Sequence, residues 1–207
     1  MRECESAQVR EKSVVGLVTY DEFCVIVPDG QKADLIDGIV YVAPPDLMHL
    51  NKLNGFLVIL MDGYVGAKRI GGEVFMCRVA CRFSQFDAPE PDILYVRPNS
   101  VHRIEPGQLD GPPDIAVEIV DDESRQRDTV LKRELYRSNG VTEYWIIDPL
   151  QQQCEFLRLV SGKYEPIALE QGHIFRSSVI PGFWLDVNWL LGPQIPAAYE
   201  CLKIVLA

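Results

Sequence analysis

The chain has 207 residues, of which 47% are hydrophobic, and this is enough for one compact domain with a sizeable core. Its formal net charge of −10 argues against a broad nucleic-acid-binding surface, because non-specific affinity for DNA comes mostly from lysine and arginine on phosphates. No apolar run approaches the roughly 20 residues that cross a bilayer, so we expect no contact with a membrane.

The first 16 residues are charged and lack the apolar stretch of a secretory signal. We therefore interpret residues 1–16 as a flexible N-terminal leader and residues 17–207 as a single domain of a cytoplasmic protein. Six cysteines occur without a Cys-x-x-Cys pair. Cys77 and Cys81 are not followed by a second pair, so we expect reduced, buried thiols and no zinc site.

Three elements are predicted in the first third of the chain. Thr19 and Glu22 form a capping box that opens a short helix. The turn dipeptide Asp37-Gly38 predicts a β-hairpin within ADLIDGIVYVA. Residues 46–65 are predicted to be helical because their leucines are spaced for one buried face. These are Leu50, Leu53, Leu57 and Leu60.

The remaining elements alternate between strands and helices. Strands are predicted near residues 73–75, 78–83, 93–96 and 114–120, followed by a helix at 126–138. The segment EYWIID, a strand pair on either side of Ser161-Gly162 and a short terminal element complete the chain. We predict a flexible excursion between Pro98 and Pro113. This order indicates an α/β fold with a mixed central β-sheet flanked by helices.

The strand DIAVEIV carries an unusual carboxylate. Alternation places Ile115, Val117 and Ile119 on one face and Glu118 on the other, between hydrophobic neighbours. An ionised carboxylate there is costly unless a cation or several donors compensate it. Glu118 is therefore either part of a functional site or one partner of a structural salt bridge.

The helix after this strand carries a lysine on its apolar side. Steps of about 100° per residue place Lys132 in one arc with Asp128 and Tyr136, and Asn139-Gly140 ends the helix. A lysine at the edge of such an arc often extends to water. Lys132 gains functional interest only through its pairing with Glu118.

A second acid, Asp92, opens the apolar run of PDILYV. The ends of strands are where α/β proteins usually build their sites. The alternative for Asp92 is a turn or capping role after Pro91.

The order of Asp92, Glu118 in a hydrophobic strand and then a lysine resembles the PD-(D/E)XK restriction-endonuclease-like superfamily. More closely, the chain is similar to the Uma-type endonucleases, formerly a domain of unknown function. The matching segments are LVTYDEF, ADLIDGIVYVAPP, EPDILYV, PPDIAVEIV, RQRDTVLKRELY, GVTEYWIIDP and IPGFWLDV. They cover nearly all of residues 17–190 and imply a restriction-endonuclease-like core.

The resemblance implies roles for individual residues. Asp92 and Glu118 match the metal-binding acids of the family. Lys132 matches its lysine, moved to the helix from the strand position where this chain has Val120. Asp34 stands where relatives commonly have glutamate, and it is ranked as an auxiliary residue. His49 matches a histidine common in relatives and is also ranked as auxiliary, as a contact to phosphate or to an acid; the alternative for His49 is a structural role.

These residue types suit phosphodiester cleavage. Mg²⁺ or Mn²⁺ held by Asp92, Glu118 and the carbonyl of Ile119 would neutralise charge on phosphorus and lower the pKa of bound water. Lys132 would orient or deprotonate the attacking water, or stabilise the developing charge. We predict a metal-dependent endonuclease that hydrolyses DNA, and a homodimer by analogy with enzymes that cut both strands.

Two features keep a second hypothesis open. Asp121-Asp122 stands where the family usually has Ser-Pro, and its two negative charges could bind a cation or repel a phosphate. Four arginines near the site are either a local basic strip or the solvated face of a helix. They are Arg125, Arg127, Arg133 and Arg137. Nucleic acid would therefore bind weakly or locally, and the alternative function is an inactive member of the fold that serves as an interaction or dimerisation module.

Overall fold

A computed structural model of the protein describes residues 16–28, 30–44, 47–76 and 78–207. The strands are β1 (Ala33–Ile36), β2 (Ile39–Val42), β3 (Glu73–Met76), β4 (Ala80–Arg82), β5 (Ile93–Val96), β6 (Ile104–Glu105), β7 (Gln108–Asp110), β8 (Ile115–Ile119), β9 (Glu143–Asp148), β10 (Gln153–Val160), β11 (Lys163–Pro166), β12 (Ile174–Arg176) and β13 (Trp184–Asp186). The α-helices are α1 (Tyr20–Ile26), α2 (Met48–Ala67), α3 (Arg133–Asn139), α4 (Asn188–Leu191) and α5 (Ala198–Leu206).

A six-stranded mixed sheet forms the centre of the fold, in the order β11-β10-β9-β8-β5-β3. β8 and β9 run parallel, whereas the other neighbours in this sheet are antiparallel. Parallel neighbours need a crossover connection, and the helical segment between β8 and β9 supplies it. The predicted α/β class and mixed central sheet are confirmed.

The two faces of the sheet are covered by different elements. Ile115, Val117 and Ile119 lie in one hydrophobic cluster with buried residues of α2 and α5. Ala116 and Val120 lie in a second cluster with Tyr136 of α3. The alternation predicted along β8 is therefore confirmed, and Glu118 faces the side on which α3 packs.

The N-terminal hairpin forms as its turn dipeptide predicts. Asp37 and Gly38 both have positive φ, at 51° and 71°, and β1 pairs with β2 across them. The capping box is also present, since Thr19 Oγ1 accepts from the amide of Glu22 and the Glu22 carboxylate accepts from the amide of Thr19. Leu35 of β1 pairs with Ala88, which joins the hairpin to the segment that leads into β5.

Helix α2 buries the four predicted leucines against the sheet. No helix in the described ranges is long and apolar enough to span a membrane. Residues 1–15 of the predicted leader, the start of the predicted helix at Asp46, and Cys4 and Cys77 lie outside the described residues. The described cysteines are free, and Cys81 is buried as predicted.

Two segments differ from the prediction. The predicted flexible excursion contains a 3-10 helix (Pro98–Arg103) and two short strands, of which β7 pairs with both β4 and β6. Leu109 of β7 is buried in a cluster with Cys81, which fixes this segment against the molecule. The predicted helix at 126–138 exists, but Arg127–Lys132 is π-helical and only then continues as α3.

Candidate active site

Glu118 and Lys132 meet in the interior between β8 and the π-helical segment. Lys132 Nζ lies 2.9 Å from Glu118 Oε1, and both side chains are 1% exposed. The hydroxyl of Tyr136, one turn further along the helix, donates to the same carboxylate oxygen at 2.7 Å. The predicted pairing of this acid with this lysine is therefore present, and the ammonium group does not point into solvent.

The ammonium group of Lys132 is shared among three carboxylates. Besides Glu118, it lies 3.0 Å from Asp34 Oδ1 and 3.4 Å from Asp128 Oδ1. Burial opposes the charge of Lys132, but the neighbouring carboxylates of Asp34, Glu118 and Asp128 outweigh it and raise the lysine pKa. Lys132 therefore stays cationic in the interior and balances part of the surrounding negative charge.

Asp92 is fixed immediately before β5 by contacts to both of its oxygens. Oδ2 accepts from the amide of Ile119 at 2.7 Å, so the acid is hydrogen-bonded to the strand that carries Glu118. Oδ1 lies 2.5 Å from Lys32 Nζ. Burial opposes ionisation of Asp92, but the charge of Lys32 and the hydrogen bond from the Ile119 amide have a larger combined effect and lower its pKa.

Asp92 and Glu118 both line one small cavity of about 50 Å³. About 10–15 Å³ of such space holds one water, so there is room for a small ion with a few waters. The lining residues come from the ends of the hairpin, the first half of α2, the residue before β5, β8 and the segment after β8. They are Lys32, Ala43, Pro44, Leu47, Leu50, Asn51, Asn54, Asp92, Glu118, Ile119, Asp121, Ser124, Arg127 and Asp128.

Burial dominates the titration of Glu118. It raises the carboxyl pKa to about 8, and the nearby acids Asp128 and Asp92 add to the rise, whereas Lys132 and Lys32 oppose it. Lys132 does not fully offset this rise in the pKa of Glu118, because its charge is shared with Asp34 and Asp128. At neutral pH the free carboxyl therefore retains its proton, which a bound cation would have to displace.

The donor atoms on the cavity wall suit a hard divalent cation. Mg²⁺ is usually held by one or two carboxylates and keeps several waters, and Asp92 and Glu118 supply two carboxylates. Ile119 also lines the cavity, where its carbonyl is the third predicted ligand. In the described part of the chain, no group of three His, Cys, Asp or Glu residues is arranged to hold a metal, so a site rich in protein ligands is not formed there.

Asp34 lies behind the cavity rather than on its wall. Its Oδ1 contacts Lys132 and also accepts from the amide of Glu90 at 2.8 Å, while its Oδ2 lies 3.1 Å from Arg127 Nε. Glu90 is itself buried, and this burial raises its pKa to about 7. Asp34 therefore contacts the candidate lysine and not the candidate cation position.

The structure does not bring His49 to this cavity. His49 is exposed near the start of α2 and lines a separate groove of about 920 Å³ together with Lys52, Phe56 and Gln152. Asn51 lines both the groove and the cavity. Of the predicted residues, His49 is thus the one that lies apart.

The four arginines proposed as a basic strip all have carboxylate partners. Arg125 pairs with Asp148 and Asp122, Arg127 with Asp34, Arg133 with Glu155, and Arg137 with Glu134. Their charges are largely compensated, which argues against a free basic strip, and of the four Arg127 is the most buried, with 14% of its side chain exposed. Asp121 lines the cavity and exchanges hydrogen bonds with Ser124, whereas Asp122 is 84% exposed.

Sequence reasoning missed Lys32. Its signal was available, because Lys32 and Asp34 stand two residues apart at the start of a predicted strand and so share one side of it. Asp128 was recognised on the stripe of Lys132 but was not included in the site. The structure adds both residues to the cluster.

Comparison with known proteins gives a family match over most of the chain. The family model described as "Uma2: Putative restriction endonuclease" matches residues 17–188. The chain is also similar to a crystal structure of "a putative nuclease belonging to DUF820" from Anabaena variabilis ATCC 29413. The two are 20% identical, with a TM-score of 0.69 over 84% of this chain and 97% of that chain, and this similarity shows the fold. A search among curated proteins finds no match.

Proposed function

Because the chain belongs to the Uma2 family, whose model is described as a "Putative restriction endonuclease", we propose that it is a metal-dependent endonuclease that hydrolyses phosphodiester bonds of DNA. One observation carries the proposal: Asp92 and Glu118, from neighbouring strands, line a single small cavity. Glu118 is also in contact with the lysine that the family resemblance assigns to the site.

Asp92, Glu118 and the carbonyl of Ile119 are the residues that would hold Mg²⁺ or Mn²⁺. When bound, such an ion supplies charge neutralisation at the phosphate and a lowered pKa for bound water. Oxygen ligands favour these two ions over zinc. A cation bound here would replace the proton that burial retains on Glu118, so metal binding should release a proton.

The neighbouring side chains position the two acids. Lys132 and Tyr136 both bind Glu118 Oε1 and so fix the rotation of its carboxylate. The amide of Ile119 fixes Asp92 in the same way. Because Lys132 is not among the cavity-lining residues, we assign it the role of orienting Glu118 and balancing its charge, rather than that of activating water.

The partner is nucleic acid bound locally. The overall negative charge and the paired arginines support a contact limited to the phosphates nearest the cavity. A homodimer stays a prediction by analogy, and sedimentation equilibrium would test it.

The proposal is tested by cleavage of supercoiled, linear and single-stranded DNA in Mg²⁺ or Mn²⁺. Glu118→Gln removes the ligand charge and should abolish cleavage. Tyr136→Phe removes one hydrogen bond to Glu118 and should lower the rate roughly tenfold, which corresponds to about 1.4 kcal/mol. Lys132→Ala should also lose activity, and circular dichroism must show that each variant is folded.

Glu165→Gln is the matched control, because it makes the same change at an exposed position on the edge strand β11. It should cleave at the wild-type rate. Cleavage that survives both Glu118→Gln and Lys132→Ala would show that the chosen residues do not form the active site.

The second candidate, an inactive interaction module, is supported by a specific observation. Asp92 and Glu118 each already have a lysine partner, so the acids are compensated in part without a metal. Absence of cleavage under all conditions, together with no binding of Mn²⁺, would favour the module. Binding of Mn²⁺ that is lost in Glu118→Gln would favour the enzyme.

A further inference from the structure

Two lysines contact the acids of the site, but the two lysines occupy different positions. These acids are Asp34, Asp92, Glu118 and Asp128. Lys132 is 1% exposed, is surrounded by three carboxylates, and does not line the cavity. Lys32 lies at the entry to β1, its side chain is 16% exposed, and it lines the cavity together with Asp92 and Glu118. Lys32 is therefore the lysine that a molecule entering the cavity would meet.

The partner of Lys32 is the acid that a metal would also bind. Lys32 Nζ lies 2.5 Å from Asp92 Oδ1, while the other oxygen of Asp92 is held by the amide of Ile119. A divalent cation that binds Asp92 competes with this ammonium group for the negative charge of the acid. Lys32 would then have charge and hydrogen-bond donors available for another anion at the same cavity.

We propose that Lys32 is the phosphate-binding cation of the site. In the metal-free protein Lys32 neutralises Asp92. When a divalent cation binds Asp92 instead, Lys32 binds a non-bridging oxygen of a phosphodiester. This proposal rests on the proposed nuclease function for the identity of the anion. A lysine is suited to the exchange, because its ammonium group is a compact charge on a flexible stem and commonly binds phosphate.

The other cation on the cavity wall is less suited to this role. Arg127 is 14% exposed, and its Nε lies 3.1 Å from Asp34 and 3.7 Å from Asp128. Asp34 is not on the cavity wall, and neither acid belongs to the proposed metal ligands. Binding of a metal by Asp92 and Glu118 would therefore leave the partners of Arg127 in place.

The test is Lys32→Met, which keeps the length of the stem and removes the charge. Mn²⁺ binding to the metal-free protein, measured by electron paramagnetic resonance, should tighten several-fold because the competing ammonium group is gone. Binding of a short labelled DNA duplex, measured by anisotropy in Ca²⁺ with cleavage monitored on a gel, should weaken about tenfold, the loss expected for one hydrogen bond between charged groups. Lys32→Arg should restore most of the DNA binding.

Lys163→Met is the matched control, since Lys163 is exposed on the edge strand β11. It should change neither measurement. If Lys32→Met does not fold, Lys32→Gln replaces it, and thermal melts establish folding before any binding is compared.

The outcomes separate this inference from the proposed function. If Glu118→Gln abolishes cleavage while Lys32→Met leaves Mn²⁺ and DNA binding unchanged, the nuclease stands and the role of Lys32 is overturned. If Lys32→Met changes only one of the two binding measurements, the proposal that Lys32 changes its partner from Asp92 to phosphate is overturned as well. If both change as expected but the wild type cleaves no DNA, the phosphate site stands and the hydrolytic function fails.

Discussion

At the scale of single residues, Glu118 is the most constrained group of the site. It is buried, it contacts one ammonium group and one phenol, and other acids lie close by. Both of these partners bind Oε1, and the surrounding acids leave the charge of Glu118 only partly compensated. This combination gives a direct prediction for the metal-free protein.

The stability of the metal-free protein should depend on the ionisation of Glu118. Its pKa is about 8 in the folded protein, above the ordinary value of 4.5, so the folded state binds this proton more tightly than the unfolded chain. The stabilising contribution is fully present below pH 4.5 and is lost as the pH rises through about 8. Glu118→Gln, a neutral isostere, should remove that loss.

Urea unfolding at several pH values between these limits measures the effect. The wild-type free energy of unfolding should fall relative to Glu118→Gln as the pH rises, whereas Glu165→Gln should follow the wild type. Parallel curves for wild type and Glu118→Gln would contradict the raised pKa.

The residues of the site were predictable to different degrees. Asp92, Glu118 and Lys132 follow from local patterns, namely an acid at a strand end, an acid within an apolar strand and a lysine on an apolar stripe. Lys32 has a local signal in its two-residue spacing to Asp34, but its pairing with Asp92, 60 residues away, is not visible in any local pattern. His49 stood at a matching sequence position, but the orientation of α2 places it in another groove.

At the scale of elements, the first hairpin is the structure that brings Lys32 and Asp34 to the site. Its turn is tight, because a Cβ added to Gly38 would lie 2.7 Å from Cβ of Leu17. Gly38 also has φ of +71°, a conformation that other residues adopt at a cost. The position of the hairpin thus depends on a glycine.

Gly38→Ala should destabilise the protein more than Gly107→Ala does. Both glycines have positive φ, but a Cβ at Gly107 meets no described atom within 4 Å. The backbone cost of about 1–2 kcal/mol is therefore common to both, and the clash with Leu17 is added only at Gly38. Chemical denaturation measures the difference in the free energy of unfolding. Equal decreases in the two variants would show that Leu17 moves away from the added Cβ without an energetic cost.

Regular elements were predicted well where their signals are local. The capping box, the hairpin turn, the leucine face of α2 and the alternation along β8 all reside in a few neighbouring residues. The π-helical segment was not predictable, because it depends on partners that fold against it. One such partner is Tyr144 on β9, whose hydroxyl donates to the carbonyl of Asp128 at 2.7 Å. The segment after β5 was missed for the same reason, since it is ordered by pairing with the distant β4.

At the scale of the whole molecule, the charge is the dominant property. The chain carries a net charge of −10, and the arginines nearest the site are paired with acids. Such a surface releases few counterions when DNA binds, so affinity should depend little on salt.

The slope of log affinity against log salt should therefore be shallow, about −2 to −3, as expected for two or three phosphate contacts. Lys32→Met should make the slope shallower by about one. Anisotropy titrations of a labelled duplex in Ca²⁺ at increasing KCl give both values. A slope of about −6 or steeper would indicate an extended basic surface that the paired arginines do not supply.

The ionic cluster around Lys132 joins three parts of the chain, because Asp128 lies four residues away on the same helical segment, Glu118 lies on β8 and Asp34 lies on the N-terminal hairpin. Detachment of the N-terminal hairpin alone would remove Asp34 and Lys32 while leaving β8 and β9 paired. Activity should therefore report on the attachment of the hairpin, and we predict that it disappears at lower urea than the far-ultraviolet signal of the sheet. Coincident loss of both signals would mean that hairpin and sheet unfold as one cooperative unit.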